Sequence, residues 1–165
     1  MMDNKSKILA AMFWYLVNGR ELNRTVVNKL LFFSDAYSFI ETGRSLSSVD
    51  YIKKPFGPVP AIIDDVRSML LGYDYIEENV YSYSNYMEYG YITKHGNVDK
   101  VKVDINNGDT QILDKVIASL SQKTAAFLSE ITHKYEPWKS SCWDSVLDFN
   151  SIEEPFRNWM KSNIH

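Results

Sequence analysis

Residues 25–41 read TVVNKLLFFSDAYSFIE, and they set the architecture. At about 100° per residue, Val26, Leu30, Phe33, Tyr37 and Ile40 fall on one helical face. Val27 and Leu31 extend that face, while Phe32, Ala36 and Phe39 cover much of the other side. A helix that is apolar nearly all round belongs at the centre of its domain. The spacing predicts a helix from Thr25 to Glu41, stopped before Gly43. Asp35 projects between Leu31 on one flank and Phe32 and Phe39 on the other, where a carboxylate is costly unless donors reach it.

Working outward, Ile8, Leu9, Met12, Phe13 and Leu16 make one face of a helix over residues 5–17, ended by Asn18-Gly19. This apolar run is too short to span a membrane and lacks a small-residue cleavage site. On the other side, Tyr51 to Pro60 reads YIKKPFGPVP: an extended piece, then a rigid proline turn. Pro60 suits the first position of a helix carrying Ile62, Ile63, Val66, Met69 and Leu70, closed by Gly72. Residues 73–91 hold seven of the eleven tyrosines and lose helical spacing. Alternation at Tyr89, Tyr91 and Thr93, then at Val101, Val103 and Ile105, predicts a hairpin turning at His95-Gly96-Asn97. A third strand over residues 49–54 is expected to support it.

The last third returns to helix. Stripes run through Ile112, Leu113, Val116, Ile117 and Leu120, then Ala125, Phe127, Leu128 and Ile131, then Trp138, Cys142, Val146 and Leu147. Ser151 with Glu154 reads as a capping box for a final helix, 151–165, holding Phe156, Trp159 and Met160. The expectation is an α+β, mainly α-helical fold: one compact domain over residues 1–165 with six to seven helices and a small antiparallel sheet of two or three strands.

Composition narrows the function classes. The chain has 165 residues, is 45% hydrophobic and carries a net charge of −3, with no basic run longer than Lys53-Lys54. Nucleic acid is disfavoured as the main partner, because phosphate binding needs a clustered basic face. One cysteine, Cys142, forms no intrachain disulfide and fits a reducing cytoplasm. Three histidines and one cysteine, with no paired-histidine spacing, provide no zinc ligand set. Neither a dinucleotide fingerprint nor a phosphate loop surrounds Gly57. No cofactor and no metal are expected.

Two constellations stand out together. One is Lys29-Leu30-Leu31-Phe32-Phe33-Ser34-Asp35, followed by Gly43 and then Phe56-Gly57-Pro58-Val59-Pro60. The other runs from Leu128 through Thr132-His133 to Trp138. In this order they resemble the Panacea domain, also called the SocA-like or phage-associated GepA family, whose pattern is roughly K-L-L-Y-F-A-D, a G-P-V-P turn, and a late T-H near a W. The resemblance covers residues 5–147. Phe33 stands near where the family often has Tyr, and Ser34 replaces a small apolar residue. The resemblance implies a non-enzymatic antitoxin that binds a toxin encoded by the adjacent gene. An alternative is an adaptor presenting that toxin to an ATP-dependent protease.

Asp35 and His133 also invite a catalytic dyad, since an Asp can orient a His as general base. No nucleophile accompanies them in any recognisable motif, so a buried structural pair or hydrogen-bonded network is the expected role. Lys29 reads as a surface lysine, with contact to phosphate or a toxin carboxylate as the rival. Because one domain type serving many toxins cannot rely on shared motif residues, partner contacts are expected at Tyr81, Tyr83, Tyr86 and Tyr89. Tyrosine offers large contact area with few rotors and a polar tip.

Overall fold

A computed structural model describes residues 3–94, 106–135 and 138–165. Helix α1 spans Asn4–Leu16, with the Asp3 carboxylate accepting the Ser6 N–H at 2.8 Å. Strand β1 is the short Leu22–Asn23. The Asn23 side chain then caps α2, Arg24–Thr42, by accepting the Val26 N–H at 2.8 Å. Gly43 ends α2 in the left-handed conformation, φ 80°, which a side chain would strain. Every residue from Val26 to Ser38 is buried, as all-round apolarity requires.

Strands β2, Tyr51–Lys54, and β3, Gly57–Pro60, form an antiparallel ribbon around Pro55-Phe56. Helix α3 is Ile63–Gly72. Strands β4, Ile76–Ser82, and β5, Met87–Thr93, make a hairpin in register from Ile76↔Thr93 to Ser82↔Met87. β1 joins the far edge of β5, giving the order β1-β5-β4. Helices α4, Asn107–Leu120, and α5, Ala125–Lys134, follow, then a 3-10 turn at Phe149–Ser151 and α6, Glu154–Asn163. Helix α2 packs against α1, α4, α5, α6 and β3. At its midpoint Phe32 meets the rings of Tyr51, Trp138, Phe149 and Phe156 at 5.0–6.3 Å, mostly edge-on. Among the described residues no helix is long and apolar enough to cross a membrane.

The mainly helical α+β architecture matches the sequence reading, but five local expectations change. Residues 51–54 do not support the tyrosine hairpin; they pair with residues 57–60, because the tight turn brings that partner back at little loop-closure cost. The partner of Tyr89–Thr93 is β4, with the turn at Ser84-Asn85. The predicted turn at His95–Asn97 and strand at Val101–Ile105 lie outside the described residues. Trp138, Cys142, Val146 and Leu147 do not form a helical stripe. That segment instead satisfies the free edge of β2: Leu147 N–H donates to Tyr51 O at 2.8 Å and Lys53 N–H to Ser145 O at 3.1 Å. Pro60 closes β3 rather than opening α3. The final helix has Glu153 at its cap and Pro155 in its first turn, while the Ser151 hydroxyl donates to Asp148 O, so no capping box forms.

Candidate functional site

Asp35 is wholly buried, and its lone pairs are engaged within the fold. Oδ1 accepts Ser47 N–H at 2.9 Å, and Oδ2 accepts the Ser47 and Tyr51 hydroxyls, each at 2.6 Å. Burial pushes this carboxyl up from its ordinary range, against hydrogen bonds from Ser47 and Tyr51 that pull it down. The Tyr51 hydroxyl is pushed well up by burial and by the carboxylate beside it. Asp35 therefore ties α2 to the connection leading into β2. His133 lies exposed on α5, so the expected Asp35–His133 pair does not form.

Lys29 overturns the surface expectation. It is fully buried, and its ammonium donates to Pro58 O at 2.8 Å. Burial pushes its pKa down to about 7. Helix α2 leaves no polar face, so a lysine within it has nowhere to go but inward; the signal was present in the helical pattern itself. Gly57 makes the close approach feasible. A Cβ there would lie 2.5 Å from Thr132 Oγ1 and 2.7 Å from Lys29 Cε, and the backbone stands at φ 111°. Lys29, Gly57-Pro58 and Thr132 thus join α2, β3 and α5 at one point. Beside it opens a cavity of about 220 Å³ lined by His133, Trp138 and Trp143. Trp138 is buried, edge-on to Phe32 and Phe156. Leu30 and Leu31 are core, Pro60 is buried and Val59 is half-buried. Among the described residues no group of His, Cys, Asp or Glu gathers as a metal site.

The tyrosines divide by strand alternation. Tyr91 points inward, donating to Glu78 Oε2 at 2.6 Å and accepting from Arg24 at 2.8 Å. Tyr89 is half-buried beneath the Arg24 guanidinium, 4.2 Å from its ring centre. Tyr81 is exposed and donates to Glu21 Oε1 at 2.6 Å. Tyr83 and Tyr86 flank the turn, exposed and stacked at 4.8 Å. Val80 and Met87 add exposed apolar surface. Phe56, read from the sequence as part of the Phe56–Pro60 motif and not as a contact residue, stands out from the β2–β3 turn at 69% exposure. Between that turn and the hairpin tip runs a groove of about 660 Å³, lined by Phe56, Val59, Tyr86, Met87, Tyr89 and Asn28 among others.

No curated protein and no solved structure matches the chain. A family model described as antitoxin SocA-like, Panacea domain, matches residues 27–139. That span takes in more than half the chain, including the buried lysine and carboxylate of α2, the β2–β3 ribbon, the tyrosine hairpin and Trp138. The chain therefore belongs to the SocA-like antitoxin family, with its Panacea domain.

Proposed function

We propose that this protein is a cytoplasmic antitoxin that neutralises a toxin encoded by the adjacent gene through direct binding. The hairpin tip is the contact surface, with Tyr83 and Tyr86 as its centre. The observation that carries this reading is the stacked, solvent-exposed Tyr83–Tyr86 pair, extended by Tyr81 on the same face of the paired hairpin. Contiguous exposed apolar surface marks interaction sites, and tyrosine anchors lose little entropy on docking. A non-catalytic role is supported by Asp35, whose oxygens are occupied by Ser47 and Tyr51, and by the absence of a His133 partnership with it.

The test is affinity for the neighbouring gene's product. Tyr83→Ala and Tyr86→Ala are expected to weaken binding by about 2 kcal/mol or more each, with melting temperature nearly unchanged. Toxin abundance in cells should stay constant while toxicity disappears. Loss of the toxin only when an ATP-dependent protease is present would favour the adaptor reading instead.

A further inference from the structure

The two faces of the β1-β5-β4 sheet differ in chemistry. Residues opposite each other in register share a face. Tyr91 lies opposite both Leu22 and Glu78, and Tyr91 and Leu22 are buried, so that face looks into the core. Arg24 sits on it too, ion-paired with Glu78 and 4.2 Å from the Tyr89 ring centre. The other face looks outward. It carries the Asn23–Gly90–Asn79 row, then the Glu88–Tyr81 pair, and ends at the exposed, stacked rings of Tyr83 and Tyr86.

Two carboxylates are fixed on this outer face. Glu21 lies across Gly90, where a Cβ would stand 2.2 Å from its Oε1. That oxygen accepts the Tyr81 hydroxyl at 2.6 Å, and Oε2 accepts the Asn79 amide at 3.3 Å. Glu88 Oε1 accepts the Asn23 amide at 2.9 Å, and its Oε2 the Tyr83 hydroxyl at 3.4 Å. Each oxygen so held has a second lone pair to offer. All four donors are neutral. Among the described residues neither carboxylate makes an ion pair; Arg24 and Lys94 pair with Glu78 and Asp74 instead. The tyrosines feel the uncompensated charge. The Tyr81 hydroxyl is pushed up by its bond to Glu21, and the Tyr83 hydroxyl by the charge of Glu88.

We propose that the outer face of this sheet takes a basic, arginine-bearing surface of the toxin, with guanidinium groups bonding Glu21 and Glu88 and stacking on the exposed tyrosine rings. This rests on the reading that the toxin binds at the hairpin, and it names what the hairpin recognises. Charge complementarity selects the occupant. An acidic segment, a nucleic acid or the same face of a second copy would bring like charge against the two carboxylates. An apolar surface would bury them without a counter-charge. Arginine fits better than lysine, because its planar fork bonds carboxylates bidentately and stacks on aromatic faces.

The experiment measures affinity of the full chain for the intact neighbouring gene product across a salt series, with melting curves in parallel. Affinity should fall as sodium chloride rises from about 0.05 to about 0.5 M, since screening weakens exposed charge pairs. Glu21→Gln and Glu88→Gln should each weaken binding about tenfold at low salt and flatten that fall, with melting temperature nearly unchanged. A merely structural glutamate would not move the salt slope. Gly90→Ala should also weaken binding while keeping every charge, because its methyl group would meet the flexible end of the Glu21 side chain. Toxin treated with phenylglyoxal, which blocks arginine, should bind poorly, while acetylated toxin, blocked at lysine, should still bind; the reverse overturns the assignment to arginine. Unchanged affinity in both glutamate variants, tighter binding in either, or binding that requires added magnesium or calcium overturns the proposal. If Tyr83→Ala weakens binding while the glutamate variants are silent, the hairpin reading stands and the basic partner falls. If all three are silent, both fall.

Discussion

Lys29 and Asp35 sit six residues apart on one helix, both fully buried, and their costs differ in kind. Asp35 receives three donated hydrogen bonds. Asp35→Ala is expected to destabilise by about 1–3 kcal/mol, because Ser47 N–H and the Tyr51 hydroxyl lose their acceptor. His133→Ala should stay within about 0.5 kcal/mol, as its side chain is exposed. Equilibrium urea unfolding of both variants checks the contrast. Lys29 has its bond to Pro58 O, but burial holds its pKa near 7 against an ordinary 10.5. Between those values the unfolded chain binds a proton that the folded chain does not. Stability should therefore rise with pH above 7, by up to about 1.4 kcal/mol per pH unit. Below pH 7 both states are protonated and the full penalty remains. Lys29→Met should be more stable than the parent at pH 6–7 and show a flatter profile from pH 7 to 9. A variant that is less stable throughout would mean that the bond to Pro58 outweighs the desolvation of the ammonium.

At the scale of elements, the β2–β3 ribbon is the joint between α2 and α5. Its closeness depends on Gly57, where φ is 111° and a Cβ would strike Thr132 and Lys29. Gly57→Ala should cost about 2 kcal/mol or more, lowering the melting temperature by at least about 4 °C. Far-UV circular dichroism should keep its helical signature. An unchanged melting temperature would show that the ribbon can slide away from α2. The hairpin, in contrast, carries its exposed rings outside the core, which is why substitutions at its tip should separate binding from stability.

At the scale of the whole molecule, the buried apolar side chains form one cluster reaching from α1 to α6. The family match spans residues 27–139 and leaves out both of those helices. Yet Phe13 and Trp14 of α1, and Phe156 and Met160 of α6, are buried in that cluster, with Phe156 stacked on Tyr135 at 4.6 Å. A chain cut to residues 27–139 is expected to lose its cooperative thermal transition; a sharp melt of that fragment would show that the flanking helices only decorate the core.

Helix positions and the centrality of α2 were legible because helical periodicity is local: a residue and its neighbours three and four places on already define a face. The strand character of Tyr89–Thr93 was legible for the same reason, through alternation, whereas β4 showed in the sequence only as a stretch without helical spacing. Lys29's burial was implied by a helix with no polar side, though a lone lysine reads by habit as surface. Pairing was different. Whether Tyr51–Lys54 joined the tyrosine hairpin or folded back on Gly57–Pro60, and whether Asp35 met His133 or Ser47 and Tyr51, depended on contacts between segments distant in sequence. No periodicity encodes such contacts. Packing and the demand of buried polar groups for partners settle them only once the chain has folded. The groove between Phe56 and Met87 belongs to that second class, since its walls are two turns separated by some thirty residues and brought together by α2.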